Sequence, residues 1–320
     1  MDVMQILALI IPAAIYAAAP LMLTALGGLF SERSGVVNIG LEGLMVMRAF
    51  TAIVMTLTLE QMGLGAISTW LALLVAVLFG AIFSLFHAVA SIQFRADQVV
   101  SGVALNFLAI GLSVFLVRLF YQKGQTDFIQ NRLYRFDIPW LSDIPVVGPL
   151  FFSRTYLTSI IAIALVFVVL YVVYHTPFGL RLRSVGEHPM AADTMGIRVN
   201  RMRYIGVMLS GALGGLGGGV YAVTISGNFS ANTIVGQGFM ALAVLIFGKW
   251  HPLGVLGAAL FFGLAQALSI TGQQIPLFAN VPTVFLHIAP YVLTILALAG
   301  FVGRADTPKA IGKPYIKGSR

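Results

Sequence analysis

Ser31 to Gly43 reads SERSGVVNIGLEG and sets Glu32, Arg33, Asn38 and Glu42 between two apolar runs, Met4 to Phe30 and Leu44 to Leu59. Charges are costly in lipid, so these groups must face water, a protein interior or a passage. Gly27, Gly28, Gly35 and Gly40 surround them and favour irregular backbone. At membrane depth such backbone is tolerated only where it packs inside protein or lines a cavity. The plainer alternative is an ordinary loop at the membrane edge.

The rest of the chain places this stretch in a membrane. It is 59% hydrophobic and 9% charged, with a mean hydropathy of +0.95, whereas soluble domains are about 25% charged. An all-α polytopic membrane protein follows, and the net charge of +8 reports topology rather than nucleic-acid binding. With no cysteine, a disulfide framework, a thiolate metal site and a cysteine nucleophile are excluded. Asp2 stands where a secretory signal would carry basic residues, so the first apolar run is expected to stay in the membrane.

Apolar runs near 20 residues mark crossings. They fall at Met4–Phe30, Leu44–Leu59, Ile67–Ile92, Val99–Phe120, Tyr156–Tyr174, Tyr204–Ile225, Phe239–Gly248, Leu253–Thr271 and Val284–Val302. This predicts about 8–10 transmembrane helices, with Leu44–Leu59 and Phe239–Gly248 too short for simple crossings. Lys/Arg bias sets orientation. His175–Arg203 carries Arg181, Arg183, Arg198, Arg201 and Arg203 against Glu187 and Asp193. The tail from Gly303 carries Arg304, Lys309, Lys313, Lys317 and Arg320 against Asp306. Both are expected in the cytoplasm, and the nearly balanced loop Tyr121–Thr155 outside as an ordered cap. Counting back places the amino terminus outside. The expected division is a transmembrane domain over 1–303, with a coupling segment at 175–203, and a basic cytoplasmic tail over 304–320.

An internal repeat is visible. ALGGL occurs at Ala25–Leu29 and again at Ala212–Leu216, 187 residues on; Glu42-Gly43-Leu44-Met45 aligns with Gln237-Gly238-Phe239-Met240, 195 residues on. Two pseudo-repeated halves, about 1–155 and 156–303, are therefore expected to carry interrupted helices at corresponding places, the pattern that marks a midplane transport site. In Gln98–Ser113 the residues Gln98, Ser101, Gly102, Asn106 and Ser113 share one helical arc. Small-residue packing accounts for Ser101 and Gly102, while Gln98 and Asn106 suit a polar path. Gln266, Ser269 and Gln273 form a similar stripe. The expected path residues are Asn38, Glu42, Gln98, Ser101, Asn106 and Gln237.

HTPFGLRLRSVGEHPMAADTMGIRVNRMR, from His175 to Arg203, contains a short helical piece at Met190–Met195. Pro189 fits a helix start and Gly196 a stop. A short rigid helix between arginines is what a membrane domain needs to dock into a soluble motor; a merely positive loop would need the arginines alone.

RSVGEHPMAADTMGI resembles the coupling-helix motif of permease subunits of ATP-binding-cassette (ABC) importers in the branched-chain amino acid, ribose and nucleoside class. SERSGVVNIGLEGLM, RADQVVSGVALNF, IFGKWHPLG and the ending Leu298 to Arg304 are similar to its nucleoside (basic-membrane-protein-linked) branch. The likeness runs from Pro20 to Tyr315. It implies a half-transporter in the cell membrane that pairs with a second, related permease on a fused double ATPase. A periplasmic or lipid-anchored binding protein would deliver nucleosides, or simple sugars such as ribose in the sister branch. The resemblance makes Arg183, Glu187, His188, Pro189, Ala191, Ala192 and Gly196 ATPase-coupling residues. Where the family has a small residue after LEGLMVM this chain has Arg48, which is expected to neutralise Glu42 or snorkel to an interface.

Chemistry of its own is not expected. Gly248-Lys249 and Gly312-Lys313 run into Trp250 and Pro314, so neither forms a phosphate loop. His87, His175, His188, His251 and His287 lack metal-ligand spacing. Neither a cofactor nor a catalytic group is expected. A secondary transporter would need a titratable group deep in a span, for which Glu42 and Arg48 are the candidates. An intramembrane hydrolase would need a Ser-His-Asp constellation, which the sequence does not support.

Overall fold

The computed structural model describes residues 2–275, 281–300 and 307–318. The end of the last expected span (Phe301, Val302) and Gly303, Arg304, Asp306 and Arg320 lie outside the described residues. Seven helices are long and apolar enough to cross a membrane. They are α1 (Val3–Arg33), α2 (Leu41–Gln61), α3 (Ile67–Phe83, continuing to Gln93), α4 (Gln98–Tyr121), α5 (Leu157–His175), α8 (Val199–Tyr221, continuing to Ser226) and α10 (Pro252–Thr271). Between them lie α6 (Pro177–Glu187), α7 (Pro189–Thr194) and α9 (Gln237–Phe247), and α11 (Thr283–Gly300) follows. The protein is a multi-pass all-α membrane protein.

Two expectations about length need correcting. The run Leu44–Leu59 looked too short, yet α2 has 21 residues and is long and apolar enough to cross a membrane; Glu42, Arg48 and Glu60 break its hydropathy without breaking its helix. By contrast α9 has 11 residues, about 16 Å of rise against roughly 30 Å of hydrocarbon. It is a half-helix. The coupling segment also holds more helix than expected, because α6 precedes α7. Thr176 caps α6 by accepting from Gly179 N at 3.2 Å, and Pro177 occupies its first turn. Gly186, which reads as a turn signal, is helical and packs directly on the Arg33 carbonyl.

α1 and α8 run antiparallel along a seam of small residues. A Cβ on Gly206 would stand 2.8 Å from Phe30 O, and one on Gly217 2.6 Å from Pro20 O. Between them the two ALGGL strings cross, and a Cβ on Gly27 would stand 2.6 Å from Gly214 N. Gly27 and Gly214 are the same position of the repeat. Without a hydrophobic drive between helices in lipid, such close backbone approach supplies the packing energy. The other sides of α8 receive α2 and α3: Gly218 backs onto Met45, Gly219 onto Leu73, and Gly211 onto Ser84 at the bend in α3.

Arg48 corrects a further expectation. It neither meets Glu42 nor reaches an interface. Its side chain is fully buried and threads between Gly80 of α3 and Gly215 of α8, filling the volume a Cβ would take on either. Among the described residues its three guanidinium nitrogens have no hydrogen-bond partner. A side chain lodged in a two-glycine slot gives a specific expectation. Gly80→Ala will lower the melting temperature of the detergent-extracted protein, and the same change in an Arg48→Ala background will lower it far less. A double-mutant cycle of thermal shifts measures this, and additive effects would show that the slot does not exist.

The loop between α4 and α5 is an ordered cap. Glu60, at the end of α2, accepts from Gln130 N at 3.0 Å and Asn131 N at 2.6 Å. Thr69 donates to the Asn131 carbonyl. Thr126 N and Ile129 N donate to Phe229 O and Gly227 O, both at 2.9 Å. Arg135 lies over the rings of Tyr16 and Tyr156 at 4.5 and 5.3 Å. Glu60→Ala removes the acceptor for both amides at once, so limited proteolysis is expected to cut within Asn131–Asp143 several times faster than in the parent protein.

Candidate functional site

The two interrupted segments meet inside the chain. Residues 34–40 are irregular backbone, and neighbouring side chains pair with much of it. Ser31 Oγ donates to Val36 O at 2.8 Å, and Ser34 Oγ to Ser31 O at 2.6 Å. Val37 N donates to Gln98 Oε1 at 2.7 Å, and Val37 O faces His87 Nε2 at 2.9 Å. Asn106 bridges both ends: its Nδ2 donates to Ile39 O at 3.1 Å and its Oδ1 accepts from Gly43 N at 2.7 Å. Asn38 Nδ2 donates to Ser210 Oγ at 2.9 Å, while Ser101 Oγ pairs with His87 Nδ1 at 2.9 Å. Unmatched backbone groups at this depth would cost several kcal/mol each, so side chains of α3, α4 and α8 hold the break open in one shape.

Glu42 joins this segment to the second one. Its Oε1 accepts from Gly236 N and its Oε2 from Gly238 N, both at 2.6 Å. The carboxylate thus caps the half-helix α9, satisfying amides that a helix start leaves free and countering the positive end of its dipole. Gly238 is pressed against the Glu42 backbone so closely that a side chain there has no room. Gln237 Oε1 accepts from Gln266 Nε2 at 2.9 Å. The pair Glu42-Gly43 and Gln237-Gly238, aligned in sequence, is therefore also in contact.

All five of Asn38, Glu42, Gln98, Asn106 and Gln237 are buried; Ser101 is half-buried at the edge of a shallow recess beside His87. Asn38 Oδ1 and Gln98 Nε2 have no hydrogen-bond partner among the described residues. One acceptor and one donor are thus left free within the cluster.

Sequence reasoning missed a clamp at the other end of these segments. Lys249 and Trp250 turn with φ of +52° and +51° between α9 and α10. Trp250 Nε1 donates to the Glu32 carboxylate. Trp250 O accepts from Arg33 Nε at 3.0 Å and Nη2 at 2.8 Å. His251 follows as the cap of α10, accepting from Leu253 N at 3.3 Å. Desolvation and the Arg33 charge hold its imidazole below its ordinary pKa. Glu32 and Arg33 were visible as charges near a break, and IFGKWHPLG as a motif; that one binds the other is a tertiary fact.

The residues expected to couple to an ATPase divide into two groups. His188, Ala191 and Gly196 are exposed, as are Met190 and Met195. Ala192 is buried beneath α7, Arg183 lies over the Tyr174 ring at 4.7 Å, and Glu187 Oε2 accepts from Lys309 N at 3.4 Å. Half-buried Pro189 opens α7. The second group fastens the segment, and the first is what it shows to solvent. Among the described residues no group of His, Cys, Asp and Glu could hold a metal ion.

A multi-pass protein with two discontinuous helices joined through a buried carboxylate, and a short helix presented at one end, has the architecture of a membrane transporter. Residues 10–299 match the branched-chain amino acid transport system / permease component family, and the chain belongs to it. It is 64% identical over 320 residues, all of both chains, to the guanosine ABC transporter permease protein NupQ of Bacillus subtilis. It is 50% identical over 317 residues, 99% of each chain, to the nucleoside ABC transporter permease protein NupC of Lactococcus lactis. It is 35% identical over 267 residues to the putative glucose ABC transporter permease protein TsgC13 of Haloferax volcanii, covering 83% of this chain and 78% of that one. No solved structure matches.

Proposed function

We propose that this permease forms the membrane path of a nucleoside importer and performs no chemistry itself. The observation that carries the reading is end-to-end identity of 64% and 50% to permeases named for guanosine and nucleoside transport. Energy comes from a separate subunit, a fused double ATPase, that engages His188, Pro189, Met190, Ala191 and Met195. Glu187, Ala192 and Arg183 hold that surface in place, and Gly196 ends α7. A second, related permease completes the path, and a periplasmic or lipid-anchored binding protein delivers substrate to the Tyr121–Thr155 cap. The coupling segment and the carboxyl terminus face the cytoplasm. In support, the described part of the tail hydrogen-bonds to Gly186 and Gly35, so the two cationic stretches share one end of the molecule.

Asn38, Glu42, Gln98, Ser101, Asn106 and Gln237 frame the path rather than line an open pore within one chain. Their bonds fix the two breaks, and Asn38 Oδ1 offers an acceptor and Gln98 Nε2 a donor to a passing polar solute. Relative motion of α9 against α2 is what would open them. The 35% identity to a named glucose permease favours a second reading, in which the cargo is a simple sugar. Uptake of labelled guanosine, uridine, ribose and glucose by cells lacking and then regaining this gene separates the two. Restored guanosine uptake that excess ribose leaves unchanged is the expected result, and restored ribose or glucose uptake alone would overturn the nucleoside assignment.

A further inference from the structure

The segment 307–318 of the basic tail is docked against the molecule. Ala310 N donates to Gly186 O at 2.9 Å, and Gly312 N to Gly35 O at 3.2 Å. Lys313 O accepts from Arg203 Nη1 at 2.9 Å, and Lys309 N reaches Glu187 Oε2 at 3.4 Å. Pro308 and Ala310 are buried. The Tyr315 hydroxyl faces the Asp193 carboxylate; desolvation and that carboxylate push its phenol above the ordinary pKa. The tail therefore touches the break after α1, the end of α6 and the first turns of α8, and lies beside α7.

These contacts change the charge of the surface. Glu187 and Asp193 are the only acids between His175 and Arg203; both are half-buried, and Glu187 accepts from the tail at Lys309 N. What remains outward is cationic: Lys309, Lys313 and Lys317 on the tail, with Arg181, Arg198 and Arg201 on the segment, all exposed. Between α7 and the tail lies a cleft of about 340 Å³, with Glu187, His188 and Met190 on one wall and Lys309, Lys313 and Ile316 on the other, so that one carboxylate, already engaged by the tail backbone, faces two lysines. It is continuous with the exposed face of α7.

We infer that the tail is the second half of the ATPase docking surface, and that an acidic edge of the ATPase subunit seats in this cleft. The inference rests on the coupling reading above and extends it from one helix to a two-walled socket. A load on the socket reaches Gly35 through a single hydrogen-bonded strand of tail. Cationic side chains beside a membrane also attract anionic lipid headgroups, so the test must tell a protein neighbour from a lipid one.

Because the chain has no cysteine, single cysteines report cleanly. Lys313→Cys, Met190→Cys and, as a control on the opposite cap, Trp140→Cys are each labelled with benzophenone maleimide in membranes holding the assembled transporter, then irradiated. Adducts to the ATPase from both Lys313→Cys and Met190→Cys, with none from Trp140→Cys, are expected. ATPase adducts from Met190→Cys with only lipid adducts from Lys313→Cys would overturn the socket and leave the coupling helix standing. No ATPase adduct from either would overturn the coupling reading and the socket with it. Independently, Lys309→Glu with Lys313→Glu should at least halve the KCl concentration that washes the ATPase off the membranes, while the permease extracts as a monodisperse protein. Release at the parent concentration would also overturn the inference.

Discussion

Transport will fall in the order Glu42, Glu42→Gln, Glu42→Ala, with the last at least tenfold below the parent in substrate uptake. The carboxylate accepts from two buried amides, Gly236 N and Gly238 N. Each amide stranded without an acceptor costs about 1–3 kcal/mol, and alanine strands both. Glutamine keeps one carbonyl oxygen and turns an NH2 toward the other amide, so its deficit is intermediate. Thermal melts should follow the same order as uptake. The series also tests the secondary-transporter alternative. Were Glu42 a proton carrier, glutamine would abolish uptake as fully as alanine while leaving the melting temperature near the parent value. Gly238→Val should match Glu42→Ala from the other side of the contact, because its side chain would displace the Glu42 backbone.

Uncoupling of the ATPase is the second large effect. Met190 and Met195 stand out from α7 and its end, and Met195 is 81% exposed. Met190→Glu with Met195→Glu should leave the fold intact, since neither side chain packs in the interior. Each introduces a charge into the docking face, where an unmatched charge costs several kcal/mol. Purified complex reconstituted in vesicles should lose its ATPase response to loaded binding protein, by tenfold or more. Substituting Ala192 would be a poorer probe, because its buried side chain would disturb α7 before it met any partner. Parent-like stimulation in the double mutant would remove the coupling role from this face.

The sequence announced the two breaks because each combines polar residues with glycine beside an apolar run, and it paired them because Glu42-Gly43 and Gln237-Gly238 follow ALGGL in the same order, the later copy carrying eight extra residues between the two matches. It also made Asn106 and Gln98 conspicuous, as amides on an otherwise aliphatic helix. Other features left no such mark. The tail is held largely through backbone amides and carbonyls, which any residue supplies, so Ala310 and Gly312 carry no signature of their contacts. Gly179 and Gly186 read as turns, although they are helix residues with another backbone laid across them. Arg48 misled for the opposite reason. A lone cation in a span suggests a counter-ion, whereas its surroundings are two absent side chains, Gly80 and Gly215, which no pairing rule seeks. The loop between α4 and α5 was expected to be an ordered cap, but its tether to Glu60 depends on a helix end about 70 residues earlier.

That same arginine bears on how the chain is made. α2 leaves the ribosome early, carrying, eight residues into the helix, a cation that the insertion machinery accepts at a cost of at most about 2.5–3.5 kcal/mol. Gly80 follows soon after, but the other wall of the slot, Gly215, is synthesised 167 residues later. At about 5–20 residues per second, roughly 8–30 s pass before that wall exists. Through that interval α2 has no finished berth in the bilayer, and it must wait beside α3 or within the translocon until α8 arrives. Assembly of this permease is thus timed by translation, with its second helix among the last to settle.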